Sequence, residues 1–148
     1  MATETPSTST VTPTRAVSVG EVMRSATTSV ETSAHLAAAA YLMKRSGDSA
    51  LVVTTDDAER RPLAIVTEAD IAEAVADGRD LEETRITDLR SVPPATVEAG
   101  VPVVEAARTM LLHRIRHLPV VDGGRLVGII DMSDACRSLL DREPAPSA

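Results

Sequence analysis

The chain has 148 residues, a length that suits one domain with a substantial core, and 43% of them are hydrophobic. Its formal charge of −7 withholds the counterion release that drives nucleic-acid binding, and an aromatic content of 1%, with Tyr41 the single aromatic residue, withholds the platforms on which bases stack. These features argue against DNA or RNA as a direct ligand, and the core must be built from Val, Ile, Leu, Ala and Met.

In chain order, residues 1–16, "MATETPSTSTVTPTRA", are rich in Thr, Ser and Pro and are expected to be disordered, because they bury too little to repay their ordering entropy. They also lack the apolar stretch of a signal peptide. In "SVGEVM", 18–23, Ser18 and Glu21 stand at capping-box spacing and predict a short lead-in helix. "SVETSAHLAAAAYLM", 29–43, reads as a short strand, a break and a helix. Ser33 can cap that helix and Gly47 can end it, with Leu36, Ala39, Ala40 and Met43 on one face. Its apolar run is too short and weak to cross a membrane. "SALVVT", 49–54, is a buried-strand pattern, followed by the turn-like 55–62. "LAIVTEAD", 63–70, is a strand that leads into a helix over 68–76, ended by Gly78. The first unit spans 17–79, and 80–91 is a linker.

The chain then repeats itself. "TVEAGVPVVEAARTM", 96–110, matches 29–43 at a shift of 67 residues, with Val103, Ala106, Ala107 and Met110 on the equivalent face. "HLPVVD", 117–122, stands against "SALVVT"; "DGGR", 122–125, is a hairpin turn; "LVGIIDMSD", 126–134, is a strand that leads into a helix over 132–141. The second unit spans 92–141, and 142–148 is a fraying tail. His113 and His117 have the spacing of helical metal ligands, but Pro119 predicts that the helix ends before His117, and no third ligand is evident. The lone cysteine, Cys136, permits no intramolecular disulfide, which suits a reducing, cytoplasmic setting, and reads as a small apolar filler on a helix. No nucleophile motif or Gly-rich phosphate loop is present, so no enzyme is expected.

A tandem β-α-β-β-α repeat of α+β class, with "LPVVD" before a hairpin and a strand exit of the form Gly-aliphatic-aliphatic-x-x-x-Asp, resembles the cystathionine-β-synthase (CBS) domain pair, the Bateman-type module. The resemblance covers residues 18–141 and is carried most strongly by "RIRHLPVVDGGRLVGIIDMSD", Arg114 to Asp134. The first copy departs from the pattern, with Ala64 in place of the glycine and Ala50-Leu51 in place of Leu-Pro. The resemblance implies two copies packed sheet against sheet about a pseudo-twofold axis, two clefts between them, an adenosine-containing ligand (AMP, ADP, ATP or S-adenosylmethionine), and a homodimer. No obligatory cofactor, metal, nucleic acid or membrane is expected, and the effector protein is unknown.

The resemblance also implies site residues. An Asp at the start of the last helix accepts hydrogen bonds from ribose hydroxyls, a Thr or Ser three residues earlier contacts ribose or phosphate, and Ile65 lines the adenine pocket. Thr67 and Asp70 match the first cleft, and a helix N-terminus and a carboxylate are chemically suited to these tasks. The same Thr-x-x-Asp spacing is close to a capping box, so both residues also fit a purely local role. In the second cleft Asp134 matches and Asp131 does not. A carboxylate about 4 Å from a phosphate charge costs about 4 kcal/mol at an effective dielectric near 20, unless Mg²⁺ or a nearby Arg compensates. Asp131 also fits a helix cap. The facing copy is expected to supply Ala95, Ile115, Arg116 and His117 to the Thr67 cleft, and Thr28, Asp48 and Ser49 to the Asp134 cleft, which Ile129 of its own copy also lines. Arg60, Arg61 and Arg114 are further candidates for phosphate. The functional expectation is a regulatory sensor of an adenosine-type ligand, and the alternative is a protein–protein scaffold with vestigial clefts.

Overall fold

The structure is a computed structural model that describes residues 15–25, 29–89 and 94–141. Thr28, residues 1–14 of the first tail predicted from composition and the whole of the second lie outside the described residues. The elements in order are α1 (Val19–Val22), β1 (Arg24–Ser25), β2 (Ser29–Glu31), α2 (Leu36–Ser46), β3 (Ala50–Thr54), β4 (Pro62–Thr67), α3 (Glu68–Ala76), a 3-10 turn (Ile86–Asp88), β5 (Val97–Glu98), α4 (Val103–His113), β6 (His117–Asp122), β7 (Arg125–Asp131) and α5 (Met132–Leu140). The expected β-α-β-β-α unit is present twice.

Local chemistry accounts for most boundaries. At α1 the Ser18 backbone N–H donates to Glu21 Oε2 at 2.8 Å, as its capping-box spacing predicts. The alanine-rich α2 has high intrinsic helicity and stops at Gly47, whose φ of 76° only glycine adopts readily. Its start differs from expectation: the N-cap is His35, two residues after Ser33. No side chain caps it, because the Leu36 and Ala37 N–H groups donate to the carbonyls of Thr84 and Leu81, both at 2.9 Å. Tertiary carbonyls replace the local cap.

β2 runs parallel to β3, which is antiparallel to β4; β5, β6 and β7 repeat this, with β1 added antiparallel on the far side of β7. The registers correct one sequence alignment. Val30 lies opposite Val53 and Val97 opposite Val120, and irregularities fall at Val53/Thr54 and Val120/Val121. The shift of 67 that relates the helices therefore relates these strands too. Leu51 is the counterpart of Leu118, and Ala50 is the counterpart of His117. Matching "SALVVT" to "HLPVVD" position by position is wrong by one residue, and in a strand one residue exchanges the two faces.

The faces confirm it. Leu51 and Val53 enter the core of the first copy with Leu36, Ala39, Met43 and Val66; Leu118 and Val120 enter that of the second with Val103, Ala106, Met110 and Ile130. Ala50 and Val52 face the other way, into a third cluster with Leu126, Ile129 and Ile65 that joins the two sheets.

The copies also exchange their lead-in turns. Val19 and Gly20 donate to the Val101 and Ala99 carbonyls, both at 2.8 Å, and Val19 is fully buried in the second core. Reciprocally, Ile86 and Thr87 donate to Ala34 and Thr32 at 2.9 and 3.2 Å, and Ile86 is buried in the first core. The segment 80–91 thus contains the counterpart of α1 as well as a connection.

Candidate functional site

The exchange leaves a cavity of about 820 Å³ between the copies. Its first wall is the end of β4 and the opening of α3, with Ile65, Thr67, Glu68 and Ala69, and Ser49 beside them. The second wall is Pro94 and Ala95 together with the turn after α4, His113 to His117. All four residues expected from the facing copy, Ala95, Ile115, Arg116 and His117, line this cavity. Ser49 lines it too, rather than the opposite cleft to which sequence position assigned it. The reason is the β3–β4 register, which pairs Ala50 with Thr67 and lets the Glu68 N–H donate to the Ser49 carbonyl at 3.0 Å.

The turn after α4 is shaped by Arg114, which takes the left-handed conformation with φ 55° and ψ 40°, unusual for a residue with a side chain. Its conformation lets the Ile115 N–H return to the Met110 carbonyl at 3.0 Å, closing the helix. Three residues on, the imidazole Nε2 of His117 shares a hydrogen bond with Ser49 Oγ at 2.8 Å, a polar link between the copies on the cavity wall. Burial pushes the His117 imidazole below its ordinary range; Asp131 opposes this, the Arg24 and Arg116 charges reinforce it, and Asp134 opposes it. Arg114 and Arg116 give one wall a basic character, against the carboxylate of Glu68.

On the other wall Thr67 is the N-cap of α3, and its Oγ1 accepts from the Asp70 N–H at 3.2 Å. Asp70 Oδ2 returns the contact, accepting from Thr67 N at 2.7 Å and Thr67 Oγ1 at 3.0 Å. The local reading of Thr-x-x-Asp is thus realised. It has a geometric consequence: Asp70 does not line the large cavity but opens on a smaller one of about 230 Å³, with Glu73, Asp77, Arg79 and Asp88.

The corresponding end of the second copy is built differently. Asp131 caps α5, with Oδ1 accepting from Asp134 N and Ser133 Oγ, both at 2.7 Å, and Asp134 Oδ2 accepts from Asp131 N at 3.0 Å. The Arg24 guanidinium lies among the acidic residues. Its Nη2 donates to Asp131 Oδ2 at 2.9 Å, its Nη1 to Asp48 Oδ1, and its Nε is 3.4 Å from Asp134 Oδ2. Arg137 is 3.7 Å from Asp134 Oδ1. Burial alone would raise the Asp131 carboxyl, but the hydrogen bonds from Ser133 and the Asp134 backbone, with the Arg24 charge, hold it below its ordinary range. Ile129 is buried opposite Arg24 in the β1–β7 pairing, within the inter-sheet cluster.

Sequence reasoning allowed for a compensating arginine without identifying Arg24, because nothing in the chain order places residue 24 beside residue 131. The available signal was Gly128. A Cβ there would lie 2.7 Å from the Arg24 carbonyl oxygen and closer still to Met23 Sδ, so glycine is what lets β1 reach β7.

Other expectations resolve simply. α4 ends at His113, so His113 and His117 are not on one helix, and no group of metal-ligating side chains occurs among the described residues. Cys136 is exposed and is not the core filler that its helix suggested, because Asp134 and Ala135 take the buried face of α5. Among the described residues no helix is long and apolar enough to cross a membrane.

Comparison with known proteins agrees with this architecture. The CBS domain family model matches residues 19–77 and 86–141. An uncharacterized protein of Methanopyrus kandleri is 36% identical over 122 residues, which are 81% of this chain and 61% of the relative, so the chain spans about three fifths of that relative's length. Among solved structures, a CBS domain protein from Pyrobaculum aerophilum complexed with AMP is 32% identical with a TM-score of 0.77, covering 84% of this chain and 95% of that one. A hexameric CBS-CP12 protein from bloom-forming cyanobacteria is 30% identical with a TM-score of 0.78, covering 89% and 78%. With two matched repeats, their shared register and their exchanged lead-in turns, the chain belongs to the CBS domain family and forms a tandem CBS pair.

Proposed function

We propose that this chain is a regulatory module that binds an adenosine-containing ligand in the Thr67 cavity and passes its ligand state to a partner protein, without enzymatic chemistry of its own. The observation that carries this reading is the composition of one cavity: Ile65 and Ile115 supply apolar surface for a base, and the Thr67 hydroxyl stands at the α3 N-terminus. Arg114 and Arg116 supply charge for phosphate. The AMP carried by the Pyrobaculum relative supports the ligand class. A ribose role for Asp70 requires its carboxylate to turn from Thr67 toward the cavity, exchanging the capping box for two hydroxyl donors. Because the cavity is walled by both copies, a ligand that prefers one relative packing shifts the population toward it.

A scaffold role is the second reading. It is favoured by exposed Val104, Leu111, Leu112 and Leu140 on α4 and α5, an apolar surface suited to a second copy or a partner protein, and a homodimer through such helices is part of the proposal.

The test is thermal stability with AMP, ADP, ATP and S-adenosylmethionine, with and without Mg²⁺, on wild type and Asp70→Ala. A ligand at a hundredfold excess over its Kd stabilises by about 2.7 kcal/mol. The expected result is a shift with one of these ligands that Asp70→Ala removes. No shift with any of them at millimolar concentration would favour the scaffold.

A further inference from the structure

We propose that the second cleft is a latch and not a ligand site: Arg24 occupies it as a built-in cation that ties the two copies together, so that each pair of copies takes one nucleotide. The latch rests on geometry alone; the count of nucleotides rests on the ligand reading above.

Arg24 is held from both directions. Its backbone is fixed in the β1–β7 ladder opposite Ile129, at the point where Gly128 permits close approach. Its guanidinium divides its contacts between the copies. Nη1 meets Asp48, which follows Gly47 at the end of α2 in the first copy; Nη2 meets Asp131 and Nε approaches Asp134, both in the second. A planar fork whose two Nη groups donate to carboxylates of different copies, with Nε near a third carboxylate but not hydrogen-bonded to it, is a task for arginine and not for lysine. The acceptors are largely withdrawn from water, with side-chain exposures of 9% for Asp134, 17% for Asp131 and 25% for Asp48.

Two consequences follow for a nucleotide. First, three carboxylates against Arg24 and Arg137 leave the cluster formally anionic, so a phosphate gains nothing from the arginine already there. Second, the ribose acceptor is held by more than the kind of cap that Asp70 also makes: beside the Asp131 N–H on Asp134 Oδ2, Arg24 Nε lies 3.4 Å from Oδ2 and Arg137 lies 3.7 Å from Oδ1. A nucleotide could enter only by breaking contacts that neutralise partly buried charge, which is unfavourable. At the other end, Thr67 stands where Asp131 stands, and the cavity beside it is open.

Side-chain ¹⁵N spectra of the full chain test the latch without any ligand. The two Arg24 Nη groups, held on different carboxylates, are expected to give separate, slowly exchanging signals that merge in Asp48→Ala; a single averaged Arg24 signal in wild type would overturn the proposal. Arg24→Met is expected to lower the melting temperature by several degrees, and a variant as stable as wild type would also overturn it. AMP followed through backbone amides then counts the sites. One molecule per chain, with shifts around Thr67, Glu68 and His117, supports the proposal, and a second saturable set around Asp131 to Asp134 refutes it. No AMP response alongside a pinned guanidinium would count against the ligand reading and for the latch.

Discussion

Thr67 and Asp131 occupy equivalent helix caps, and their difference in charge separates the two ends of the molecule. Thr67 serves as cap and cavity wall at once. Thr67→Val should therefore cost about 0.5–2 kcal/mol in a denaturation series through loss of the cap, and weaken whatever the cavity binds. Thr67→Ser should restore both. His117 gives a pH signature. Burial favours its neutral form, so below the ordinary value of 6.5 the unfolded chain takes up a proton more readily than the fold. Its contribution is intact above that value and is lost as pH falls through it, until the folded imidazole itself protonates. Urea midpoints measured between about pH 7.5 and 5 should fall toward acid, and His117→Gln should flatten that fall. Asp131 titrates in a separate window: its depressed carboxyl contributes above the ordinary 3.8 and loses that contribution only as pH falls below it.

At the scale of elements, caps, turns and periodicity were legible wherever the partner lay within a few residues. Ser18 with Glu21, Thr67 with Asp70 and Gly47 at the end of α2 all act as their spacing predicts. Ser33 does not, because α2 draws its first acceptors from Leu81 and Thr84, far along the chain. The strand register was misjudged for a related reason: position-by-position likeness of "SALVVT" and "HLPVVD" says nothing about which face meets which core. Gly128 shows what pairing adds. A neighbouring strand lies close against it, so Gly128→Ala must displace both Met23 and the Arg24 carbonyl. A loss of about 1–3 kcal/mol is expected by chemical denaturation, in the range of core overpacking.

Across the whole molecule, the exchanged lead-in turns make the copies interdependent. The first core needs Ile86 from beyond its own last helix, and the second needs Val19 from before the first. A fragment spanning 17–79 would lack Ile86 and the N–H donors that serve Ala34 and Thr32, and would expose the Ala50–Val52 face. It is expected to show little folded signal by circular dichroism, whereas a chain spanning 17–141 should unfold in one cooperative transition. Two separate transitions in the longer chain would contradict this interdependence.

By itself the sequence determined the repeat, the order of elements, the aliphatic core and the candidate wall residues Ala95, Ile115, Arg116 and His117. The first three follow from local periodicity, caps and likeness between the copies, and the wall residues follow by position from the family resemblance. Only the tertiary structure decided that Ser49 belongs with Thr67 and that Arg24 stands among Asp48, Asp131 and Asp134. Each depends on strand pairing between segments far apart in the chain, and a pairing one residue out of register would have put different side chains in the cleft.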